Sequence, residues 1–140
     1  MSQNLRPLSL IYNQKSGFHA AQQDEQYERL MTFWTQYGFE IQVFELNQQL
    51  SFDEMMTSVL SRHQLADSRG VVVAAGGDGT LNAVAKKLMH TDIPMGIMPL
   101  GTFNYVARAL NIPIDLGLAA EVIATGIEHK VHVATLNDQI

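Results

Sequence analysis

There is no cysteine in the 140-residue chain, which removes disulfides, thiolate metal sites and cysteine nucleophiles and leaves the redox compartment open. Basic residues are also scarce, nine Lys and Arg against fourteen Asp and Glu. The resulting charge of −5 argues against a general nucleic-acid binder, which needs a cationic excess to displace counterions. It does not argue against small anions, because backbone N–H groups at a helix start hold phosphate without a basic side chain. Long apolar runs are missing as well. The longest, Val71 to Ala75, is far too short to span a bilayer, and Met1 to Pro7 has no apolar signal core. A soluble, cytoplasmic protein is expected, with any membrane contact peripheral.

What is present suits one globular domain: 46% of residues are hydrophobic and 16% charged, and the chain is long enough to bury a core. Leu8 to Tyr12 is a short apolar run ended by Asn13 and Gly17, the pattern of a first strand entering a loop. Tyr27, Leu30, Met31 and Trp34 share one helical face, and Gly38 is placed to end that helix. Glu40 to Leu46 reads as a second strand. Ser51 followed by Glu54 is a capping box, and Phe52, Met55, Met56, Val59 and Leu60 repeat behind it at helical spacing.

Val71 to Ala75 is apolar on both faces, as a strand covered on both sides must be. Leu81, Val84, Ala85, Leu88 and Met89 mark a third helix, and Met95 to Met98, between Pro94 and Pro99, a fourth strand. Thr102 is expected to cap a short helix running to about Leu110, Asp115 another ending near Gly126, and Lys130 to Leu136 reads as a last strand. This alternation predicts βαβ units in a doubly wound, mostly parallel sheet with helices on both faces. Residues 1–127 are read as this α/β domain. The chain ends a few residues past a strand signal, more like a cut than a finish.

Gly76-Gly77-Asp78-Gly79-Thr80 carries the clearest chemistry. It follows a buried strand and opens a helix, at the carboxyl edge where open α/β sheets bind ligands. Glycines without Cβ let backbone N–H groups approach a phosphate and permit positive φ. The helix start adds a partial positive charge worth roughly 0.3–1 kcal/mol to an exposed anion. Thr80 can cap the helix or donate its hydroxyl to phosphate, and Asn82, one turn in, can reach the same ligand.

Asp78 has two readings. A carboxylate beside phosphate suits a Mg²⁺ contact, but a Gly-Asp-Gly turn with a solvated carboxylate explains it equally. Neither a P-loop lysine motif nor the dinucleotide glycine spacing is present. Pro99 to Asn104, with Gly101, Thr102 and Asn104, and Asn13-Gln14-Lys15-Ser16-Gly17 leave neighbouring strands at the same edge. Each is either a wall of the ligand site or an ordinary turn.

Together these segments resemble the diacylglycerol kinase catalytic-domain family. That family has Asn-Pro-x-Ser-Gly after its first strand, where this chain has Asn13 to Gly17. Its Gly-Gly-Asp-Gly-Thr-aliphatic-Asn motif is matched throughout from Gly76 to Asn82, and its third motif appears as Pro99 to Arg108, followed by Leu110-Asn111-Ile112-Pro113. Gln14 stands in place of the family's proline and Tyr105 in place of Asp or His. Glu45-Leu46-Asn47 offers no counterpart to the Thr or Ser that many members place after the second strand.

The resemblance implies an N-terminal domain like that of NAD kinases and phosphofructokinases, and residues 128–140 as the start of a β-rich second domain. It implies ATP and Mg²⁺ as ligands, with Gly76, Gly77, Gly79, Thr80 and Thr102 on the phosphates and Asp78 supporting the metal and the catalysis. Asn13, Ser16, Gly17, Asn82 and Asn104 would orient nucleotide or loops. The implied reaction moves the γ-phosphoryl group of ATP to a lipid hydroxyl, diacylglycerol-like, at a membrane surface. The catalytic base would lie beyond Ile140, so this chain alone would turn over little. An NAD kinase-like enzyme and a non-catalytic nucleotide sensor are the alternatives, and an apolar patch left open would allow a homodimer.

Arg108 suits a helix C-terminus as well as a phosphate. His129 and His132 fall on opposite strand faces, His19, His63 and His90 lie in polar, exposed contexts, and the seven methionines mostly fall on apolar helix faces, as core residues.

Overall fold

A computed structural model describes residues 5–13, 20–46, 51–66, 69–99, 104–113 and 116–125. Its elements run β1 (Arg6–Asn13), α1 (Ala20–Gln36), β2 (Phe39–Leu46), α2 (Phe52–Leu65), β3 (Val71–Gly76), α3 (Asp78–Leu88), β4 (Met95–Pro99), α4 (Tyr105–Ala109) and α5 (Leu116–Thr125). The strands form one sheet in the order β2-β1-β3-β4, parallel at every pairing. The reading of Lys130 to Leu136 as a strand, and the proposed cap Asp115, lie outside the described residues.

Alternation along the strands sorts the core into two layers. Ile11, Val72, Ala74 and Ile97 face Met55, Met56 and Val59 of α2, Leu81, Val84 and Leu88 of α3, and Ala107 of α4. Leu8, Leu10, Val71, Val73, Ala75 and Met98 face Trp34 of α1 and Ala119, Ala120 and Ala124 of α5. The sheet is thus doubly wound, as the two-faced apolar run of β3 requires. Val72 and Val73 are both fully buried, each contributing roughly 1.5–3 kcal/mol over an exposed side chain. Trp34 ties its layer together: fully buried, its indole Nε1–H donates to the Ala120 carbonyl at 3.2 Å. No described helix is long and apolar enough to cross a membrane.

The helix signals behave as their chemistry demands. Ser51 Oγ accepts from Glu54 N at 3.1 Å at the start of α2. Gly38 stands at φ +87° just past α1, the left-handed position that ends helices. At Gly70, φ is +63° and a Cβ would fall on the Pro7 carbonyl, so only glycine fits between β1 and the start of β3.

One expectation fails inside this core. His63 is fully buried, not exposed. It continues the face of Met56 and Val59, and its polar edges are matched by partners in β1 and beyond α2. Nδ1 lies 2.6 Å from the Arg69 carbonyl, which can only accept, so that nitrogen carries the proton. Nε2 then accepts from the Ser9 hydroxyl at 2.7 Å, and Ser9 Oγ accepts from Arg62 Nη1 at 2.8 Å. Arg62 also donates to the carbonyls of Leu8 and Glu40 at 3.0 and 2.6 Å. Burial lowers the basicity of His63 from the ordinary 6.5; the Arg69 bond opposes this and the Arg62 charge adds to it. His90 is exposed as expected, and His19 lies outside the described residues.

Candidate functional site

The sheet order brings the sequence motifs to one edge. The chain goes from β1 to β2 on one side and then returns to β3 on the other, so connections diverge between β1 and β3. Ligands of open α/β sheets bind at such a reversal, beyond the carboxyl ends of the strands. Tyr12 is abreast of Ala75, and Gly76 of Pro99, in the parallel ladders. Asn13, Gly76 and Pro99 therefore leave the sheet at one level. Of the remaining candidates, Ser16, Gly17 and Thr102 lie outside the described residues, and Asn13 is described by its backbone alone.

The glycine motif is hardly a loop. Gly76 is the last residue of β3, Gly77 is the N-cap of α3, and Asp78 already belongs to the helix. The N–H groups of Asp78, Gly79 and Thr80 precede the first helical bond, from Leu81 N to Gly77 O at 3.1 Å, and among the described residues no side chain caps them. Thr80 is thus not the cap that its type suggested; it sits in the first turn, where its N–H is itself an unsatisfied donor. The glycines also do not serve positive φ, which among described glycines occurs only at Gly38 and Gly70.

Their reasons differ. A Cβ on Gly76 would come within 3.0–3.2 Å of the Thr80 side chain, so Gly76 lets the first turn of α3 fold back over the strand end. A Cβ on Gly79 would meet nothing within 4 Å, so the packing does not need glycine there. Asn82, half-buried one turn in, makes no side-chain hydrogen bond among the described residues.

Asp78 is engaged in a way that neither sequence reading foresaw. Its Oδ2 accepts from Tyr105 N and its Oδ1 from Val106 N, both at 2.9 Å. The carboxylate caps α4 from across the site and is not the solvated turn group of one reading. The other reading, a Mg²⁺ contact with Asp78 as one ligand, would need further ligands from the nucleotide or from elsewhere in the protein. Among the described residues no three acidic or histidine groups gather to hold a metal, so these residues do not by themselves make a magnesium site.

The short helix α4 begins at Tyr105, after Asn104, rather than from a Thr102 cap. Asn104 is buried and left-handed, φ 53° and ψ 48°, a conformation its short amide tolerates. The other end of α4 is closed by Asn111, also left-handed at φ 58°. Ile112 N bonds Ala107 O at 2.8 Å and Asn111 N bonds Arg108 O at 3.2 Å, a Schellman closure with Pro113 just beyond. Arg108 occupies the last turn, on the solvent side, where its charge favours the helix dipole. Tyr105 is exposed at the opposite end, beside Asp78.

Comparison with known proteins places this geometry. A family model described as the diacylglycerol kinase catalytic domain matches residues 7–136. A diacylglycerol kinase of Staphylococcus carnosus is 36% identical over 84 residues, 59% of this chain and 28% of that protein. A Klebsiella pneumoniae protein named "Probable lipid kinase YegS-like" is 40% identical over 70 residues, 49% of this chain and 24% of its own length. The fold is similar to a crystal structure of a diacylglycerol kinase from Bacillus anthracis, with TM-score 0.64 and 20% identity over 88% of this chain and 41% of that one. The chain thus matches less than half the length of each of these relatives.

Proposed function

Because the chain belongs to the diacylglycerol kinase catalytic domain family, we propose that it is the nucleotide-binding part of a lipid kinase, which transfers the γ-phosphoryl group of ATP to a lipid hydroxyl. In this reading the N–H groups at the start of α3, uncapped among the described residues, take the phosphates of ATP, with the Thr80 hydroxyl and Asn82 beside them. Phosphoryl transfer requires positioning and charge neutralisation more than covalent chemistry, and an uncapped helix start offers both. Thr102, Asn104 and the Asn13 to Gly17 segment are assigned to the walls of the same site. A diacylglycerol-like acceptor, held at a membrane surface, is proposed from the names of the relatives. The acceptor pocket and the base that takes the acceptor's proton are assigned to the part of those proteins this chain does not match. Mg²⁺ would arrive with the nucleotide and shield its charge. The third motif, from Pro99 to Arg108, favours this reading over an NAD kinase-like one.

The observation that carries the proposal is Gly79. Glycine inside a helix costs roughly 0.5–1 kcal/mol relative to alanine, and nothing in the packing calls for it here. A ligand approaching the backbone does. Gly79→Ala is therefore expected to stabilise the chain in urea by about 0.5–1 kcal/mol while weakening ATP binding in calorimetric titration. If the variant binds ATP as well as the wild type, or the wild type does not bind it, the nucleotide reading fails. Phosphorylation of diacylglycerol vesicles by this chain alone would overturn the assignment of the base to another part of the protein.

A further inference from the structure

We propose that Asp78 is a positioning residue, which holds the start of α4 against the phosphate-facing start of α3 through its two carboxylate oxygens. The inference rests on the nucleotide reading above and adds to it a role that motif position does not supply.

Three observations carry it. The two oxygens accept from successive backbone amides, Tyr105 N and Val106 N, at equal distances of 2.9 Å. The residue that should cap α4, Asn104, makes no side-chain cap bond, so Asp78 does that work from α3. And Pro99, where the chain leaves β4, pairs with Gly76 in the sheet. Both ends of the connection from β4 to α4 are therefore anchored on residues 76–78, the strand end by its ladder and the helix start by the carboxylate.

The charge arrangement follows. A carboxylate in the first turn of a phosphate-binding helix would repel the ligand or compete for its donors. Turned toward α4, Asp78 meets the start of a second helix and does not itself claim the first amides of α3. Only a carboxylate offers an acceptor to each of two neighbouring amides. Asparagine keeps one acceptor and presents an N–H to the other amide; alanine keeps none.

The test compares wild type, Asp78→Asn and Asp78→Ala by two readouts: hydrogen exchange at the Tyr105 and Val106 amides, and ATP affinity with Mg²⁺ or with EDTA. In Asp78→Ala both amides should exchange roughly tenfold faster, the scale of losing a helix cap. ATP affinity should fall by a similar factor whether or not Mg²⁺ is present. Asp78→Asn, close in shape, should retain protection at one amide and an intermediate affinity; it also serves if the alanine variant does not fold. Unchanged exchange in the variants overturns the inference and leaves the nucleotide reading standing. Faster exchange with unchanged ATP affinity reduces Asp78 to a structural cap and overturns it too. Loss of only the Mg²⁺-dependent part of the affinity makes Asp78 a metal contact and also overturns it. A wild type that binds no ATP removes the reading on which the inference rests, and both fall.

Discussion

His63 shows how one buried side chain can make a fold sensitive to acid at a distance from its candidate site. Ser9, its partner, is abreast of Val72 near the start of β3, whereas the candidate site lies past Gly76 at the other end of that strand. In the folded chain the imidazole is held neutral, with Nε2 committed to accepting from Ser9. The unfolded chain binds a proton more readily, so stability is full above the ordinary value of 6.5 and falls as pH drops below it. One proton sets an upper bound of about 1.4 kcal/mol per pH unit. Urea midpoints between roughly pH 5.5 and 7.5 should decline toward acid for the wild type and flatten in His63→Gln; equal slopes would disprove this. The residue was partly legible, since position 63 continues the stripe of Met56 and Val59, but a polar neighbourhood in sequence hid it. Asp78 was legible as a member of a motif and illegible in what it touches, because its partners are 27 and 28 positions away and offer only backbone.

At the scale of elements, local chemistry was the better guide. Ser51, Gly38 and the apolar run of β3 each declare their roles through nearest neighbours, and the structure places them accordingly. Ser51→Ala should cost about 1 kcal/mol in urea unfolding, whereas Ser51→Asn, another good cap, should cost little. If the two variants lose the same amount, the hydroxyl bond to Glu54 N is not what starts α2. The start of α4 resisted reading for the opposite reason: its cap comes from another helix, so no local signal marks it and Thr102 looked the better candidate. Its end was signalled by Asn111 and Pro113, which suit a left-handed closure and a stop.

For the molecule as a whole, two apolar layers share one sheet and should unfold together. Trp34, the single tryptophan, reports from the α1 and α5 side, while Val72 packs on the α2 and α3 side. Val72→Ala should lower stability by about 2 kcal/mol and shift the Trp34 fluorescence transition as far as the far-ultraviolet dichroism transition. Transitions that separate would mean that the layers are independent. The sheet order has a further consequence, for the making of the protein. β1 pairs with β2 on one side and β3 on the other, yet it leaves the ribosome before either. Until Val71 to Gly76 has been synthesised, the strand that becomes the middle of the sheet has an open, apolar edge. A strand that ends inside the sheet, paired on both sides, is thus exposed along one edge on the way, and a nascent chain is open to wrong partners there.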